Sequence, residues 1–122
     1  MNKKIMIIED DKETQFLFNE LFTSENYDVI SALDGNAALK EIKNNNWPDL
    51  ILMDLNFPEG TPEDFLEELR KEEKGRNVPI LLVSGDSKID TRVHELKVQG
   101  YIEKPFSLDT LLEQVSQQAN LQ

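Results

Sequence analysis

The stretch Pro48-Asp49-Leu50-Ile51-Leu52-Met53-Asp54 decides the fold. Four apolar residues stand in a row with no polar break, and a carboxylate closes them. A run this short is too brief for a helix and fits a strand covered on both faces. The pattern recurs at Ile5–Ile8, Tyr27–Ile30 and Ile80–Val83, and more weakly at Tyr101–Ile102. Between the runs lie segments of helical spacing. Leu17, Phe18, Leu21 and Phe22 are expected to share one helix face. Ala38, Leu39 and Ile42 share another, and Phe65, Leu66 and Leu69 a third. The last helix carries Leu108, Leu111, Leu112, Val115 and Ala119. A fourth, about Lys88–Val98, has a thin stripe of Ile89, Val93 and Leu96.

Start signals agree with this division. Asp34 precedes the second helix. Thr61 and Pro62 offer an N-cap and a first-turn proline to the third, with Glu63 and Asp64 in its first turn. Ser107 is placed to cap the last. Strand and helix alternate five times, which predicts a single α/β domain over residues 1–122. Its sheet is parallel and doubly wound, with right-handed crossovers. No linker, repeat or low-complexity tract interrupts it.

Bulk properties narrow the function. The chain has 122 residues, 24 acids against 13 bases, and a net charge of −11. Such a surface repels phosphate backbones and anionic lipid, so no direct nucleic-acid or membrane binding is expected. There is no cysteine, which removes disulfides and thiolate-held metals. The opening MNKKIMIIEDD is too short for a signal peptide or a membrane span. The expectation is a soluble, cytoplasmic protein. EELRKEEKGR mixes both signs and reads as an exposed helix end. His94 reads as a surface residue. Trp47, before Pro48 at the entrance to the third strand, reads as a packing residue.

In open α/β sheets the functional crevice lies at the carboxyl ends of the strands. Glu9, Asp10 and Asp11 follow the first strand here, Asp54 the third, Ser84-Gly85 the fourth and Lys104-Pro105 the fifth. Asp11 could equally cap the first helix. Clustered carboxylates repel one another unless a cation is near. Hard oxygen ligands of this kind suit Mg2+, and Lys104 adds a second positive charge. A carboxylate in that setting can attack phosphorus and form an acyl phosphate.

These residues resemble the receiver domains of two-component response regulators. The likeness runs from IMIIEDD through PDLILMDLNFP and PILLVSG to YIEKPF. It implies a flavodoxin-like (βα)5 fold with strand order 2-1-3-4-5. It also implies that Asp54 accepts a phosphoryl group. Asp10 and Asp11 would hold Mg2+ with Asp54 and the backbone carbonyl of Asn56. Lys104 would be the family's lysine, Ser84 the switch hydroxyl, Tyr101 the aromatic switch and Pro105 a cis proline. The implied partners are a sensor histidine kinase or a histidine phosphotransfer domain as donor. A downstream effector would read the face made by the fourth helix, fifth strand and fifth helix. The state would be a monomer or a phosphorylation-dependent dimer. The only catalysis implied is of the protein's own phosphorylation and dephosphorylation.

The loop Asn56-Phe57-Pro58-Glu59-Gly60-Thr61-Pro62 departs from the family's usual Met-Pro-x-Met-Asp-Gly. Few residues follow the last helix, ending in Leu121-Gln122, so no output domain is expected. Two other functions compete. One is a protein-interaction module that signals without phosphorylation. The other is a phosphatase-like or nucleotide-binding enzyme, disfavoured because no glycine-rich phosphate loop follows the first strand.

Overall fold

Along each central strand, alternate side chains enter two different apolar layers. Met6 and Ile8, Ile51 and Met53, and Ile80 and Leu82 face one layer. Ile5 and Ile7, Leu50 and Leu52, and Leu81 and Val83 face the other. A strand's side chains alternate with period two, so an unbroken apolar run requires a cover on both sides. Helices supply both covers.

The computed structural model describes residues 2–120; Leu121 and Gln122 lie outside the described residues. The described strands are β1 (Lys4–Ile8), β2 (Asp28–Ala32), β3 (Leu50–Asp54), β4 (Ile80–Ser84) and β5 (Gly100–Glu103). They form one parallel sheet in the order β2-β1-β3-β4-β5, the order expected from the sequence. The helices are α1 (Lys12–Ser24), α2 (Gly35–Lys43), α3 (Pro62–Leu69), α4 (Glu73–Asn77), α5 (Ile89–Leu96) and α6 (Leu108–Ala119). Residues of α1 and α6 pack in one layer, and residues of α2, α3 and α5 in the other.

The predicted caps form. Asp34 accepts from the Ala37 amide at 2.8 Å, Thr61 from Asp64 at 3.1 Å and Ser107 from Thr110 at 3.1 Å. Each satisfies a first-turn N–H that has no partner within its helix. Trp47 packs against the α2–α3–α5 layer, and His94 is exposed.

Three expectations need correction. Leu17 does not share the buried face of α1: it is 65% exposed, and the buried stripe is Gln15, Phe18 and Phe22. Those positions are three and four apart, and Leu17 lies about 100° away from Phe18 around the helix. Leu108 is likewise exposed, because it occupies the first turn of α6, ahead of the buried Leu111, Val115 and Ala119. The acidic-basic stretch is not one helix end: it begins in the last turn of α3, breaks at Arg70 and restarts as α4. Gly75 permits that restart. A Cβ there would stand 1.7 Å from the Leu69 carbonyl oxygen, so only glycine allows the approach. The added helix makes the predicted fourth and fifth helices α5 and α6.

Candidate functional site

The register of the sheet explains how the acids meet. Ile8 on β1 pairs with Met53 on β3, so Glu9 and Asp54 emerge side by side one step beyond that pair. Asp54 in turn pairs with Val83 on β4, just before Ser84, and Ser84 pairs with Glu103 on β5, just before Lys104. Three neighbouring strands and their edge partner thus open into one cleft. Glu9, Asp10, Asp11, Thr14, Asp54, Leu55, Asn56, Ser84, Gly85, Asp86 and Lys104 line it.

Asp54 is fixed at both oxygens. Its Oδ1 accepts the Asn56 amide at 2.8 Å, and its Oδ2 accepts from Lys104 Nζ at 3.0 Å. Burial alone would lower the Lys104 pKa. The hydrogen bond and charge of Asp54, aided by Glu9 and Asp11, outweigh that and raise it. Lys104 therefore keeps its charge. It is placed by its own amide, which donates to the Ser84 carbonyl at 2.9 Å, and the Lys104–Pro105 peptide is cis.

Ser84 Oγ accepts the Asp86 amide at 3.0 Å. A hydroxyl has one proton to give and two lone pairs. Ser84 can hold that amide and still donate into the cleft. In the loop after Asp54, Phe57 packs edge-on against Phe65 with ring centres 6.4 Å apart, and Gly60 takes a positive φ of 71°.

Asp10, Asp11, Asp54, Asn56, Ser84 and Lys104 are therefore brought together, as the sequence reading expected. Asp11 is placed differently from its partners. It is exposed and caps α1, where its Oδ2 accepts from the Thr14 amide and hydroxyl. Those two bonds hold its carboxyl below the usual range. Tyr101 is not in the cleft. It is 38% exposed, and interaction with the nearby Asp90 carboxylate on α5 raises its pKa.

Glu9 is the residue given no role in the sequence reading. It is 5% exposed. Burial first, then the hydrogen bond and charge of Asp54, push its pKa up to about 8, with Asp10 adding and Lys104 opposing. The signal was present: Glu9 follows Ile8 directly, as Asp54 follows Met53. Asp86 was missed as well, and it lies on a loop with no pattern to mark it.

Several carboxylates around one lysine fit a cation. A buried acid whose charge is disfavoured by a neighbouring carboxylate is the local sign of that need. Among the described residues no three His, Cys, Asp or Glu side chains close into a cage. Mg2+ does not require one, since it is commonly held by one or two carboxylates with water and phosphate oxygens.

The strand order and the cleft define a flavodoxin-like α/β protein whose strand ends gather five carboxylates around one lysine. The chain belongs to the response regulator receiver domain family, whose model matches residues 5–116. It is 31% identical over 120 residues to the polar-differentiation response regulator DivK of Brucella ovis, covering 94% of each chain. The receiver domain of a sensor histidine kinase from Pseudomonas aeruginosa has a similar structure, with a TM-score of 0.85 and 25% identity, covering 98% of both chains. That protein is described with a magnesium ion coordinated in its active-site cleft. A chemotaxis response regulator of Vibrio cholerae shares the fold, with a TM-score of 0.84 and 23% identity, covering 97% of this chain and 99% of that one. No helix among the described residues is long and apolar enough to cross a membrane.

Proposed function

We propose that residues 1–122 act as one receiver domain that accepts a phosphoryl group on Asp54 from a phosphohistidine. The donor would be a sensor histidine kinase or a histidine phosphotransfer domain. The observation that carries this reading is the pinning of Asp54 at the end of β3 by Asn56 and Lys104. A nucleophile held at both oxygens loses little entropy on the way to attack. An Asp54 oxygen would bond to phosphorus as the phosphorus–nitrogen bond breaks, and the imidazole would leave with the electron pair. Lys104 and Ser84 would then hold phosphoryl oxygens by charge and by hydrogen bond.

Glu9, Asp10, Asp54 and the Asn56 carbonyl are the groups that would hold Mg2+. When bound, the ion would neutralise charge on the transferring group. Glu9 replaces Asp11 in this set, because Asp11 is committed to capping α1 whereas Glu9 is buried against Asp54.

The output would pass through the α5–β5–α6 face. Ser84 drawn toward a phosphoryl group would favour an inward Tyr101, and that swing requires release from Asp90. The effector and the site of action in the cell follow only from the family likeness, with the cytoplasm as the expected compartment.

Incubation with Mg2+ and acetyl phosphate, followed by intact mass, tests the acceptor. One phosphate adduct is expected, acid-stable and base-labile, and absent in Asp54→Asn. An adduct that persists in that variant would move the acceptor elsewhere. No adduct from acetyl phosphate or any kinase would favour signalling without phosphorylation.

A further inference from the structure

Two polar or charged side chains are buried among the described residues: Glu9 and Gln15. Gln15, on the first turns of α1, is 7% exposed. Its Nε2 points at three carbonyl oxygens, those of Ala32 at 3.0 Å, Ile7 at 3.2 Å and Glu9 at 3.3 Å. These oxygens lie at the ends of β1 and β2 and at the first residue beyond β1. Ala32 also takes the Glu9 amide at 3.0 Å. The backbone amide of Gln15 donates to the Asp11 carbonyl at 2.9 Å. Glu9-Asp10-Asp11 is thus held at its first residue by the side chain of Gln15 and at its last by the main chain of Gln15.

The amide is an expensive choice for a core position. Its Oε1 is buried and has no partner among the described residues. An apolar side chain of equal length would fill the space without that oxygen. What it could not do is tie β1, β2 and the acidic turn into one knot. We propose that Gln15 is a positioning residue: it holds the Glu9–Asp11 turn so that Glu9 and Asp10 face Asp54, and thereby sets the affinity of the cleft for a divalent cation. This rests on the reading of the cleft as a Mg2+-assisted phosphoacceptor.

Gln15→Met keeps the length and loses the donors. Its Mg2+ half-saturation, followed by backbone amide shifts in NMR, should rise about tenfold, the usual scale for groups that orient metal ligands. Adduct formation with acetyl phosphate at saturating Mg2+ should stay within about twofold of the parent, because the acceptor itself is untouched. In EDTA, hydrogen exchange at Glu9–Asp11 should quicken. Phe22→Leu serves as the control, since it weakens the same helix's packing without touching the strand-end carbonyls. It should leave the half-saturation unchanged. Equal half-saturation in Gln15→Met and the parent would overturn the proposal, as would an equal rise in both variants. Should Gln15→Met not fold, the parent decides. Its Gln15 side-chain amide signal must move with Mg2+ in step with the Asp10 amide, and a stationary signal overturns the role. A parent protein with no Mg2+ response anywhere overturns the reading of the cleft and this inference with it.

Discussion

At Glu9 a carboxyl group is held where its charge is disfavoured twice, by burial and by Asp54. The unfolded chain binds that proton near 4.5 and the folded chain at about 8. Between those values the folded state carries the extra proton, so stability falls as pH rises through the window and levels off above it. Glu9→Gln removes the group. In metal-free buffer the variant should melt above the parent at pH values beyond 8 and close to it near 4.5. Parallel melting curves across the window would mean that Glu9 titrates normally. Asp54 was legible in the sequence, because it ends an apolar run that demands a strand. Glu9 was hidden beside two more acids. Adjacent residues leave a strand end in different directions, and only the register with β3 decides which carboxylate meets Asp54.

At the scale of elements, α5 is tied to α3 at two points. Arg92 bonds Glu63 through both nitrogens at 2.9 and 3.3 Å, and Arg70 donates to the Leu96 and Lys97 carbonyls at 2.8 Å each. The two ties are of different worth. Glu63 is 55% exposed at the side chain, and exposed ion pairs contribute at most about 1 kcal/mol. Arg70 instead satisfies the final carbonyls of a helix whose next residue, Lys97, already stands at φ 56°. Arg70→Ala should cost about 2 kcal/mol in urea unfolding, roughly twice or more the loss in Arg92→Ala. Equal losses would put the strength of the clamp at the surface pair. α4 carries a second test. Alanine normally favours a helix over glycine by about 1 kcal/mol. Gly75→Ala should instead destabilise by about 1–3 kcal/mol, since Leu69 must move. A stabilised variant would disprove the close approach. The start of α3 was legible from Thr61-Pro62. The break before α4 was not, because its cause is a carbonyl met in space.

Over the whole molecule, the net charge of −11 is carried by 24 acids, five of which line the cleft with one lysine. Mutual repulsion of this kind weakens the folded state and is relieved by counter-ions. Added NaCl should raise the melting temperature modestly. Mg2+ at matched ionic strength should raise it further, since an ion that binds only the folded state stabilises it by about 2.7 kcal/mol at a hundred times its dissociation constant. That extra increment should shrink in Asp54→Asn. Identical curves in Mg2+ and in NaCl of equal ionic strength would leave no place for a cation in the cleft.

What the sequence determined alone was the layering. Runs of four apolar residues between amphipathic segments admit little besides a parallel sheet covered on both faces. Carboxylates, a hydroxyl and a lysine at the run ends then fall on one edge. The tertiary structure decided which groups along that edge touch. Register set Glu9 against Asp54 and left Asp11 to cap α1. The packing of α1 turned Gln15 inward and Leu17 outward. A strand end fixes the level at which a side chain emerges, but its neighbours are set by the adjoining strand and the helix laid over both.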